Sequence, residues 1–243
     1  MFLTTFRDAN QVALIFQGFY DLIPVIFFLL GSIILLRALY HKMVKGCYCL
    51  LAAGSIMIVS AGSLKALHKI LMGIARIDYI ILDKQFTPTQ SIGFFLLFLA
   101  LLGMFTAKNK DNIKPEKLSV FALPTLLFFL AQEGETPLGD SGLPAFTNLW
   151  PFLIMMIFGA AGFLVLLVIV SVKMHTKIEP ILFSLSLIFM IGMGYLSTKR
   201  TFEGAWMQIS CNVVYQLTFF LGCFLLKRHH LETAELFKKQ NEA

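Results

Sequence analysis

Charge is scarce in this sequence. Only 14% of its 243 residues are Asp, Glu, Lys or Arg, against roughly a quarter in a soluble domain. With 58% of residues hydrophobic and a mean hydropathy of +0.79, disordered and fibrous classes are excluded. Cysteine is sparse too. Cys47, Cys49, Cys211 and Cys223 all lie within or at the ends of apolar runs, so no structural disulfide is expected. The Cys47/Cys49 pair has no further Cys or His cluster beside it, so no metal site is expected. Catalytic signatures are missing as well. There is no HExxH, no phosphate-binding glycine loop and no GxSxG elbow. Of His41, His68, His175, His229 and His230, only His68 falls near a span. No catalytic residue and no cofactor is expected, and catalysis is not the expected role.

No polar stretch is long enough for a second, soluble domain. The longest, 227–243, reads as a short cytoplasmic tail, leaving 1–226 as one membrane domain. The net charge of +6 would suggest nucleic acid in a soluble protein. Here it fits Lys- and Arg-rich cytoplasmic loops, and no nucleic-acid partner is expected. The first apolar run reaches Leu36, beyond the ~7–15 residues of a signal-peptide core, so it reads as a true span.

What the sequence has in abundance is long apolar runs. About 20 apolar residues cross ~30 Å of hydrocarbon as a helix. Segments near 12–36, 47–68, 88–107, 118–133, 148–172, 179–198 and 205–226 qualify. Backbone groups must be satisfied within the bilayer, so these are helices. The expected fold class is an all-α integral membrane protein of about seven transmembrane helices. One side of this arrangement collects Arg37, Lys42, Lys45, Lys108, Lys110, Lys114, Lys117, Lys173, Lys177, Lys227, Arg228, Lys238 and Lys239. The other carries only Arg7, Lys69, Arg76, Lys84, Lys199 and Arg200, and its loop 132–147 has acids but no Lys or Arg. The positive-inside rule then puts the N-terminus outside and the C-terminus in the cytoplasm.

An internal duplication is suggested by three matches. Asp21 to Pro24 opens a Phe-rich run, as Asn148 to Pro151 does. Lys65, His68 and Lys69 end the second segment, as Lys199 and Arg200 end the sixth. Gln90 and Gln208 sit near the outer ends of the third and seventh. This points to a 3+1+3 layout with parallel triplets. In helix number, length, orientation and parallel triplets the layout resembles the SWEET sugar transporters and their PQ-loop relatives. The Pro-Gln pair that names the latter is missing: Pro24 is followed by Val25 and Pro151 by Phe152. Retinal-binding seven-helix proteins need a mid-helix Lys in their last span, and 205–226 has none.

Polar groups inside a bilayer are costly, so each is a candidate for function. Gln208, Asn212 and Gln216 recur every four residues, sharing one helix face. They either bond neighbouring helices or line a polar cavity, where amides both donate and accept. Asp21 must be paired, hydrated or protonated at its depth, and Lys65 is its expected partner. Lys65, His68, Asp21, Gln90, Gln208, Asn212 and Gln216 are the candidate ligand-binding residues. Lys199 and Arg200 would form an outer basic vestibule, or simply snorkel to the interface. Trp150 and Trp206 fit an interfacial aromatic belt. Gly54, Gly62, Gly159, Gly162, Gly192 and Gly194 are expected to admit close helix packing.

The leading expectation is a carrier of a small polar or anionic solute. The alternatives are a seven-helix receptor or sensor, a membrane-embedded lipid enzyme, and a subunit of a larger membrane complex. The expected partners are membrane lipid, the solute, and either a second copy of the chain or a partner membrane subunit.

Overall fold

The computed structural model describes residues 11–40, 43–76, 82, 85–106, 146–197 and 202–229. They form six long helices: α1 (Gln11–Leu39), α2 (Lys45–Ala75), α3 (Phe86–Thr106), α4 (Phe146–Lys173), α5 (Ile178–Ser197) and α6 (Phe202–Arg228). All six are long and apolar enough to cross a membrane, which fits a multi-pass integral membrane protein. The expected span at 118–133 lies outside the described residues, as do Lys199 and Arg200.

The helices start and stop where local chemistry dictates. Pro88 and Pro180 fall in the first turns of α3 and α5, where a missing N–H costs nothing. Pro24 lies within α1 without ending it. α2 ends at Arg76, which turns into the left-handed region at φ 55°. A left-handed His175 ends α4, and Thr176 Oγ1 donates to the Ser171 carbonyl at 3.0 Å. α2 runs past 68, where its apolar window was expected to close, because helical backbone bonding continues through Lys69 to Ala75.

Each helix packs chiefly against its neighbours in the chain, and α6 returns to α1, so the six form a closed ring. Contacts fix the helix directions. Gly18 of α1 meets Ala66 and Ile70 of α2, while Gly62 meets Val25; these two helices are antiparallel. Gly54 against Gly93 and Gly103 against Cys47 make α2 and α3 antiparallel. Gly222 against Phe183, with Ser186 and Thr218 hydroxyls 2.7 Å apart, does the same for α5 and α6. Two seams are parallel. Gly159 and Gly162 of α4 meet Phe94-Phe95 and Phe98 of α3 in rising order. Tyr20 and Phe27 of α1 meet Trp206 and Phe220 of α6 likewise. The end where α1 begins is called upper below, and the opposite end lower.

The middle of the ring is closed by aromatic rings. Phe219 stacks on Phe28 at 5.5 Å between centroids, and meets Phe163 at 5.8 Å and Phe183 at 6.4 Å. Phe28 also meets the edge of Phe94 at 6.2 Å. These five are among the least exposed side chains described. Since lipid tails are as apolar as the helix surfaces, such close packing rather than water exclusion holds the helices together.

Not every glycine expected at an interface is one. A Cβ on Gly159 would lie 2.6 Å from the Phe95 backbone nitrogen, whereas one on Gly192 meets nothing within 4 Å. Gly159→Ala should therefore cost about 1–3 kcal/mol, since backbone cannot give way. Gly192→Ala should add about 0.5–1 kcal/mol through helix propensity. Thermal or denaturant unfolding of the two variants in one detergent checks the contrast; equal effects would contradict the packing.

Candidate functional site

Above the aromatic layer, α1, α3 and α6 each carry polar side chains on the helix face that bears an inward phenylalanine. Phe28 touches α3 and α6, so its face of α1 points inward. Asp21 and Gln17, seven and eleven residues earlier, share that face at helical spacing. Phe219 touches α1, α4 and α5, which fixes the inward face of α6. Asn212 and Gln208 precede it by the same seven and eleven residues, with Gln216 between. The two parallel helices thus carry one pattern: Gln17, Asp21, Phe28 beside Gln208, Asn212, Phe219. Gln90 stands one turn above Phe94 on α3.

Gln17 is 1% exposed, and neither its Oε1 nor its Nε2 has a hydrogen-bond partner among the described residues. Gln216, 4% exposed, leaves its Oε1 unpartnered in the same sense. An amide buried without partners costs about 1–3 kcal/mol. Gln90, Gln208 and Asn212 are only half-buried.

Asp21 pairs with Lys69, not with Lys65 as expected. Asp21 Oδ2 and Lys69 Nζ are 2.6 Å apart, with side chains 11% and 12% exposed. The approach is charge to charge, and that oxygen has no well-aligned hydrogen bond. The close crossings at Gly18 and Gly62 bracket the pair and bring α1 and α2 within its reach. Lys65 instead lies 4.0 Å from the Phe86 ring centroid, a cation–π contact. His68 is buried in α2. Trp206 packs against Tyr20.

Several serine hydroxyls are locally satisfied, whereas Glu179 keeps its Oε2 unpartnered among the described residues. Ser55, Ser171 and Ser186 return their hydroxyls to carbonyls one turn earlier. All four cysteines are free thiols. At the lower end, the buried Glu179 of α5 meets Nδ1 of the exposed His229 after α6, a pair that hydropathy did not reveal. Gln17 is a further polar residue of this face, and its match to Gln208 appears only when Phe28 is set against Phe219. Among the described residues no cluster of His, Cys, Asp and Glu could hold a metal.

Comparison with protein-family models, with curated proteins and with solved structures gives no match to this chain.

The ion pair makes a measurable claim. Asp21→Asn or Lys69→Met alone strands a buried charge and should cost about 3 kcal/mol, while the double change recovers much of it. A double-mutant cycle on unfolding should show strong Asp21–Lys69 coupling and weak Asp21–Lys65 coupling; the reverse order would contradict the pairing.

Proposed function

We propose that the chain is a carrier of a small polar solute, with its N-terminus outside and its C-terminus in the cytoplasm. The observation that carries the reading is Gln17: a fully buried amide, unpartnered among the described residues. It stands in line with Asp21 and beside the amide face of α6, over a closed aromatic layer. An amide in that position can donate to and accept from a solute. The Asp21–Lys69 pair offers both signs of charge one turn lower, and Gln216 lies nearest the aromatic layer. Lys65 and His68, at the upper part of α2, would border this site rather than form its centre.

The layout we propose is two parallel triplets, α1–α3 and α4–α6, around a two-fold axis along the membrane normal. Matched crossings support it. Gly31 of α1 receives Phe219-Phe220 of α6, as Gly159 of α4 receives Phe94-Phe95 of α3. Gly54 crosses Gly93 as Ser186 crosses Thr218. This register aligns Phe94 with Phe219, and so differs from the Gln90–Gln208 match suggested by sequence. α3 and α4 run parallel, and a seventh span between them would account for that. The apolar run 118–133 is the segment suited to make that seventh crossing. Arg37, Lys45, Lys173, Lys177, Lys227 and Arg228 border the lower end, which supports a cytoplasmic assignment.

In this reading the aromatic layer is the barrier. The solute exchanges its hydration for Gln17, Gln208, Asn212 and Gln216, and the triplets rock against each other at the two parallel Gly–Phe seams. Release follows when the contacts of Phe219 with Phe28 part and those groups face the cytoplasm. Uptake into proteoliposomes should be saturable for at least one member of a panel of sugars, amino acids, nucleosides and carboxylates. Gln17→Leu and Gln216→Leu should each reduce it tenfold or more with the protein still monodisperse. No uptake above empty liposomes for any member, or uptake unchanged by both substitutions, would overturn the carrier.

A further inference from the structure

The walls of the upper half differ in chemistry. α1, α2, α3 and α6 contribute Gln17, Asp21, Lys69, Gln90 and the α6 amides. From 152 to 163, α4 carries no polar side chain at all, and α5 from 187 to 194 none either. What these two helices turn towards the core is Phe152, Met155, Met156, Phe189 and Met190. Phe152 is buried, and the other four are half-buried and pack against the core cluster. Met156 precedes the inward Phe163 by seven residues, and Met190 follows the inward Phe183 by seven, so both share their helix's inner face.

This apolar wall is also lightly covered. No α5 residue from 187 to 196 is buried. Its membrane-crossing window is 22% buried, against 33–56% for the other five. Methionine suits a surface that must accept variable apolar shapes, because its side chain is unbranched and polarizable.

We infer that the ligand of this site is a small amphiphile, its polar head held by Gln17, Asp21 and the α6 amides and its apolar body lying on the Met and Phe side chains of α4 and α5. The inference rests on reading the polar column as a solute site, and it adds the substrate class. A purely polar solute would leave Met156 and Met190 facing a hydrated cavity. A purely apolar one would leave Gln17 and Gln216 unsatisfied. Only a molecule with both parts matches both walls.

The test is binding to the purified full chain in nanodiscs, measured by calorimetry with matched pairs of water-soluble probes: alanine and phenylalanine, glucose and phenyl glucoside, acetate and phenylacetate. The expected result is that, in at least one pair, the member with the apolar body binds tenfold or more tightly. Met156→Gln together with Met190→Gln should erase that advantage, and Gln17→Leu should weaken both members. Equal affinity of both members would overturn the amphiphile while leaving the solute site standing. No binding by any probe would overturn the site itself and the amphiphile with it. Native mass spectrometry adds one arm: a retained phospholipid that no probe displaces would assign the site to bilayer lipid and overturn the inference. The comparison of probe pairs on the unsubstituted protein remains decisive if the methionine variants fail to fold.

Discussion

Two contacts between glycine and a Phe-Phe pair hold the ring closed. At one, Gly31 admits Phe219-Phe220; at the other, Gly159 admits Phe94-Phe95. Each brings a parallel pair of helices together and sets the heights of the phenylalanines that meet in the middle. Phe219 then reaches Phe28, Phe163 and Phe183. A side chain larger than glycine at either position would push α1 from α6, or α4 from α3, and open the layer. In hydrocarbon there is no water-driven penalty to draw the helices back, so the positions of everything above the layer depend on these two crossings.

The polar groups can be understood by the same accounting. A bilayer offers no water to an unpaired N–H or C=O, so satisfied groups need no functional explanation. The Ser hydroxyls bonded to their own helix and the Ser186–Thr218 contact belong to that kind. Gln17 and Gln216 do not. They sit on the inward faces, over the aromatic layer, with the half-buried Gln208 and Asn212 on the same face of α6. Glu179 is different again: its pairing with His229 ties α5 to α6 at the lower end, far from the column.

Much of this was legible in the sequence, and the failures have physical causes. Apolar runs mark helices because the bilayer demands both length and hydropathy, and six of the expected spans coincide with described helices. The four-residue spacing of Gln208, Asn212 and Gln216 identified one face, and Phe219 shows that it points inward. The partner of Asp21 was misassigned by one turn. Hydropathy suggested that α2 ends near 68, whereas backbone hydrogen bonding carries it to Ala75 and places Lys69 against Asp21. Gln17 lies near the start of its span, where hydropathy cannot tell an interfacial residue from an interior one; its eleven-residue register with Phe28 places it on the interior face. Gly192 resembles Gly159 in sequence, but α5 meets no neighbour there. Which face of a helix is covered is a property of the ring and not of the helix.

The central claim is that a polar column opens at the upper end, which we propose to be external, and stops at the aromatic layer. Its most direct test is cysteine accessibility in a variant with Cys47, Cys49, Cys211 and Cys223 replaced. A membrane-impermeant thiol reagent added outside oriented vesicles should label Gln208→Cys and Asn212→Cys, and should not label Ser32→Cys, which lies one turn below Phe28. Absence of label at both upper positions in folded protein, or equal labelling at Ser32→Cys, would contradict the account.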